Sequence, residues 1–129
     1  MIVLDASVAV DLLLLRLEPV TVSRVTGRQQ KVHVPHLLDL EVMQALRRIV
    51  RRGEASDASA ALAWTQLDAM RFRRHGHLAL RDRIWELRDA LSAYDAAYLA
   101  LAEGLGCPLL TRDRGLARCP LARTTVELV

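Results

Sequence analysis

The chain has 129 residues, enough for one domain of ordinary size and too few for two independent cores. Hydrophobic residues make up 52% but aromatic residues only 4%, so the core must be built from Leu, Ala, Val and Ile, and the scarcity of Gly and Pro argues against disorder or a many-turned all-β fold. A formal charge of +3 is too mild to indicate nucleic acid by itself, although Lys31 is the only lysine and arginine suits planar, two-point contacts with phosphate.

Ile2–Asp5 is a short apolar run closed by an acid, the pattern of a buried parallel strand. Ser7 is placed to cap a helix running through SVAVDLLLLRL, with Pro19 as its terminator. A helical stretch over Val20–Arg28 leads to a second strand, Val32–Pro35. Leu37–Arg52 carries a long helical pattern with Gly53 as C-cap, and Ala55–Met70 a further helix capped by Ser56 or Asp57. A short strand and turn are expected in Phe72–Leu78, then helices over Leu80–Leu91 and Ser92–Leu105. Cys107–Thr111 reads as a strand, RGLARC as a short helix and TTVEL as a last strand. Strands interleaved with helices make an α/β plan around a small parallel sheet, with residues 1–129 as a single domain.

Cys107 and Cys119 have no metal-ligand spacing and read as small apolar residues in a reducing compartment. The apolar start lacks a basic lead-in and carries Asp5 and Asp11, so it reads as folded structure rather than a secretory signal. No run approaches the length of a membrane span, and a cytoplasmic location is expected.

Chemistry in an open α/β sheet gathers at the carboxyl ends of its strands. Asp5 closes the first strand and Asp113 follows the LLT strand, although helix capping would account for either acid alone. Asp95 is the only charge in AYDAAYLALA, which is apolar on nearly every side. A carboxylate there must shift its pKa, find partners or bind a cation, and Ser92 stands at capping-box spacing from it. On the helix from Leu37, Glu41 lies at the border of the apolar face, within reach of Arg48. Asp39 competes with it for a site role, and periodicity does not choose between them.

DASVAVDLLL, LEVMQALRR and ALSAYDAAYLALAEGLGCPLLTRDRGLA together resemble the PIN-domain toxins of VapBC toxin–antitoxin modules, over residues 1 to about 118. The resemblance implies a PIN-like fold and cleavage of RNA phosphodiester bonds that depends on Mg2+ or Mn2+. By position it puts the acidic constellation on Asp5, Glu41, Asp95 and Asp113, as metal ligands and catalytic groups, and so selects Glu41 over Asp39. Ser7 and Thr111 match supporting hydroxyl positions. Gln44 stands where many relatives have Asn, and a longer amide there would orient Glu41. Arg112 and Arg114, flanking Asp113, are candidate phosphate contacts, whereas His33, His36, His75 and His77 match no site position. The resemblance further implies an RNA substrate of the translation machinery (tRNA or rRNA), a cognate VapB-type antitoxin and a homodimer. Leu12–Leu15 with Leu17 exceeds what one helix face normally buries, so it reads either as a fully buried helix or as a groove for the antitoxin or a second subunit.

Four clustered carboxylates repel, and a divalent cation with its preference for hard oxygen ligands removes that repulsion. Without an interleaved aromatic platform, base recognition by stacking is expected to be limited. A dehalogenase-like phosphohydrolase would want a second Asp where Ser7 stands and a helper lysine; a receiver domain fails for the same lack of lysine. The remaining rival is a degenerate PIN module that binds RNA or an antitoxin without cutting.

Overall fold

A computed structural model describes residues 1–129. Its elements follow the order β1 (Ile2–Leu4), α1 (Ala6–Leu13), α2 (Pro19–Thr26), β2 (Val32–Pro35), α3 (Leu37–Arg51), α4 (Asp57–Ala69), β3 (Arg73–His75), α5 (Arg81–Glu86), α6 (Ala93–Leu105), β4 (Leu109–Thr111), α7 (Arg114–Ala117) and β5 (Val126–Leu128). The five strands form one sheet in the order β3-β2-β1-β4-β5, with every pairing parallel. All residues of β1, β2 and β4 are buried, as expected of central strands covered on both faces, while β3 and β5 at the edges are partly exposed.

The chain runs outward from β1 through β2 to β3, then crosses back to β4 on the other side of β1. That reversal opens a crevice beyond the carboxyl ends of β1 and β4, where Asp5 and Asp113 lie. Leu4 pairs with Leu110, and the Asp5 N–H donates to the Leu110 carbonyl, so the two strand ends are in register. The apolar helix α6 packs across β1, β2 and β4, burying the unbroken run Ala96–Ala102. Helix α3 stands against α1 and α4, burying Leu38, Val42 and Leu46.

Several local expectations need correction. Helix α1 ends at Leu13, well before Pro19, because Leu15 turns into the left-handed region with φ 58°. Pro19 instead occupies the first turn of α2, where its missing N–H costs nothing. The leucine run divides accordingly: Leu12, Leu13 and Leu17 are buried, whereas Leu15 is 88% exposed. Ser7 does not cap α1; Asp5 holds the N-cap position, and the serine hydroxyl serves Asp5 itself. The helix expected over Leu80–Leu91 is a 3-10 turn at Leu78–Leu80 followed by the six-residue α5. Its end tightens as the Leu87 N–H divides between the carbonyls of Arg83 and Ile84 while the Leu87 side chain enters the core.

Candidate active site

Asp5 is the anchor of the crevice. It is 6% exposed, and its Oδ2 accepts hydrogen bonds from Ser7 Oγ at 2.6 Å and Thr111 Oγ1 at 2.7 Å. The same two hydroxyls accept in turn from backbone: Ser7 Oγ from Arg112 N at 3.0 Å, Thr111 Oγ1 from Asp113 N at 2.9 Å. A buried carboxylate is thus supplied with two donors, and the loop after β4 is tied to the loop after β1. No protein group bonds Oδ1.

Asp113 caps α7, its Oδ1 accepting from the Leu116 N–H at 2.8 Å, which leaves its other oxygen free. Asp95 sits in the first turn of α6, where Ser92 Oγ accepts from the Asp95 N–H at 3.2 Å. The cap is therefore made by Ser92, and the Asp95 carboxylate remains available to the crevice. Glu41 projects from α3, and its Oε2 accepts a 2.5 Å hydrogen bond from the Tyr98 hydroxyl of α6.

These four acids, two just after β1 and β4 and two on α3 and α6, line one open cleft of about 340 Å3 together with Ser7, Asp11, Arg48 and Arg112. Asp39, the competitor of Glu41, lies elsewhere: its carboxylate accepts from Arg74 Nε at 2.7 Å and Nη2 at 2.8 Å, tying α3 to β3. Arg48 borders the cleft but forms no ion pair with Glu41. Gln44 is exposed and makes no hydrogen bond; the support expected of it comes from Tyr98. Arg112 faces the cleft with its guanidinium held by Asp11 at 2.7 Å and by the Val129 carbonyl at 3.2 Å, whereas Arg114 is exposed outside it.

The electrostatics are those of crowded, half-buried carboxylates. Burial, first of all, pushes the Glu41 carboxyl above its ordinary range; the charges of Asp5 and Asp95 add to this, while the Tyr98 hydroxyl and Arg48 pull against it. Asp95 is raised by burial and by the charges of Asp5 and Asp113, with Ser92 opposing. The Tyr98 phenol is driven far above its ordinary value by burial and the Glu41 carboxylate, so it remains a donor throughout the accessible pH range.

No three of the acids converge closely enough to enclose a metal ion with protein atoms alone. The donor set nevertheless fits a hard divalent cation, being all carboxylate oxygen. Asp5, Glu41 and Asp113 each spend one oxygen on a protein donor and leave the other unbonded. An open arrangement suits Mg2+, which dehydrates reluctantly and is held through a few carboxylates, retained waters and substrate phosphate.

Tyr98 and Asp11 were not singled out from the sequence. Tyr98 lies three residues after Asp95, on the same side of α6, and that spacing was the available signal. Asp11 likewise lies one turn from Ser7 on α1, but its pairing with Arg112 depends on tertiary placement.

None of the four histidines lines the acidic cleft. His33 and His75 hydrogen-bond ring to ring at 2.8 Å across β2 and β3, remote from the acids. The cysteines are unpaired, Cys107 buried and Cys119 partly so. No helix is long and apolar enough to cross a membrane.

Comparison with known proteins agrees with this architecture. The PIN domain family model matches residues 2–120. Ribonuclease VapC9 of Mycobacterium tuberculosis is 42% identical, over 94% of this chain and 96% of its own length. Ribonuclease VapC12 of the same organism is 39% identical, over 100% of this chain and 99% of its own. Among solved structures, PAE2754 from Pyrobaculum aerophilum has the same fold with a TM-score of 0.75, at 23% identity over 98% of this chain and 83% of that one. The chain is a PIN-domain protein and belongs to the family of VapC ribonucleases.

Proposed function

We propose that this protein is the toxin of a type II toxin–antitoxin pair and cuts RNA of the translation machinery, tRNA or rRNA, with Mg2+ or Mn2+ at Asp5, Glu41, Asp95 and Asp113. The observation that carries the proposal is the convergence of these acids on one cleft at the point where the strand order reverses. Asp5 and Asp95 would hold the cation, and Glu41 and Asp113 would complete its shell or orient water. Bound there, the cation supplies activation of the attacking water and neutralisation of charge on the scissile phosphate.

The chain's own residues prepare that chemistry. Ser7 and Thr111 fix the buried Asp5 carboxylate, so its orientation is set before substrate arrives. Arg48 and Arg112 bring positive charge to the cleft wall, where an RNA phosphate would compete with Asp11 for the Arg112 guanidinium. Arg114, exposed next to the site, would meet the backbone farther along the RNA.

Two partner surfaces support the rest of the reading. Leu13, Leu14, Leu15 and Leu62 border, with Arg16, Glu54 and Ser59, a depression of about 280 Å3, suited to an antitoxin segment that presents both apolar and charged side chains. Trp85 and Tyr94, both exposed, line a larger groove of about 550 Å3 with Leu37 and Ile84, suited to a second copy of the chain.

Purified protein incubated with structured tRNA and rRNA, with Mg2+, Mn2+ or chelator, tests the activity. Cleavage that needs the ion and falls by about 100-fold or more in Asp5→Asn is expected. Absence of cleavage with either ion, or undiminished cleavage by Asp5→Asn, would leave a module that binds RNA or antitoxin without cutting.

A further inference from the structure

We propose that Tyr98 is the positioning residue of Glu41: its hydroxyl sets which carboxylate oxygen faces the cleft, and thereby governs binding of the divalent cation. The inference rests on the metal-site reading above and extends it to a residue outside the acidic constellation. Tyr98 is completely buried and is the only aromatic side chain that is. In a core of Leu, Ala and Val, phenylalanine would pack as well without placing a hydroxyl out of reach of water. That hydroxyl makes one hydrogen bond, to Glu41 Oε2 at 2.5 Å.

The other acids with a defined orientation obey the same logic. Asp5 gives Oδ2 to Ser7 and Thr111, and Asp113 gives Oδ1 to the Leu116 N–H, each keeping one oxygen for the cleft. Glutamate has one more torsion than aspartate, so it needs restraint more, yet neither Arg48 nor Gln44 forms a hydrogen bond or ion pair with it. Tyr98 alone supplies that restraint. Because it lies one turn beyond Asp95, its bond also joins the two helices that carry Asp95 and Glu41. A hydrogen bond of this kind, behind a metal-binding carboxylate, orients the ligand without touching the reacting atoms.

The test is Tyr98→Phe, which removes one oxygen and keeps the ring. Calorimetric titration of the metal-free protein with Mn2+ is expected to show affinity lowered by about 10-fold or more, and RNA cleavage to show reduced kcat with KM little changed. In a Glu41→Gln background the same substitution should cost no further Mn2+ affinity. A packing role alone would lower thermal stability equally in both backgrounds and leave Mn2+ affinity and kcat at the wild-type values; that result overturns the proposal. If the wild type binds Mn2+ and cuts RNA while Tyr98→Phe matches it, Tyr98 fails and the nuclease reading stands. If the wild type binds no divalent ion, both fail together. Should Tyr98→Phe not fold, the wild type carries the test through NMR of its buried Tyr98 hydroxyl proton. That resonance must shift on Mg2+ titration, and one unmoved at saturation overturns the assignment.

Discussion

Glu41 and Asp95 show what an acidic site costs when no cation is bound. Both carboxyls sit above their ordinary range because of burial and then neighbouring negative charge, so the metal-free fold holds their protons more tightly than the unfolded chain does. Their contribution to stability is full below ordinary carboxylate values and is lost as pH rises through the raised ones. As they ionise, the metal-free protein carries the cost of their burial and mutual repulsion. Glu41→Gln should therefore raise the melting temperature of the metal-free protein at about pH 7 by a few degrees, with the gain vanishing near pH 4, where the wild-type carboxyl is already neutral. Scanning calorimetry in chelator at both pH values checks this, and a gain that persists at low pH would refute the charge account. Cleavage runs the opposite way: it should increase as pH rises and these two groups lose their protons.

At the scale of the element, the left-handed residue at the end of α1 is the clearest local conflict. Leu15 adopts φ 58° with its side chain 88% exposed, so it bears a backbone cost without a compensating burial. Leu15→Asn should stabilise the isolated protein by roughly 0.5–1 kcal/mol, since asparagine tolerates this region better. Urea denaturation measures the change, and an unaltered or lower midpoint would show that Leu15 is not strained. Because Leu15 also borders the depression proposed above for the antitoxin, the same substitution should weaken capture of that partner. The two readouts moving in opposite directions would explain why a leucine is tolerated there.

For the whole molecule, the groove of about 550 Å3 is lined by none of the four site carboxylates. It is bordered by Trp85 and Tyr94, each about two-thirds exposed, with Leu40 exposed one turn from Leu37. Large apolar side chains gathered on one surface favour association over solvation. Trp85→Ala combined with Leu40→Glu should convert a dimer to a monomer in sedimentation measurements while the circular dichroism spectrum is retained. A wild type that sediments as a monomer at micromolar concentration would remove this surface as a subunit interface. Trp85 and Tyr94 also qualify the expectation from composition, because a chain poor in aromatics still concentrates two of them on one exposed groove.

Periodicity and composition were sufficient for the α/β plan, for β1, β2, β4 and β5 and for the deep burial of α6, since each rests on local patterns of apolar residues, whereas the polar β3 (Arg73–His75) carries no such pattern. Asp5 and Asp113 were legible as strand-end acids, and Asp95 as a lone charge in an apolar helix, because burial of a charge is anomalous in any fold. Choosing Glu41 over Asp39 was beyond periodicity. Both acids border the apolar face of α3, and only the approach of β3 gives Asp39 to Arg74 while that of α6 gives Glu41 to Tyr98. The partners of Ser7 and Arg112 were decided in the same way, by what comes near them in space. A hydroxyl, amide or guanidinium has several partners within reach of its own segment, and the packing of distant elements selects one. Local sequence thus determined which elements form and which charges are out of place, and tertiary packing decided which polar groups those charges meet.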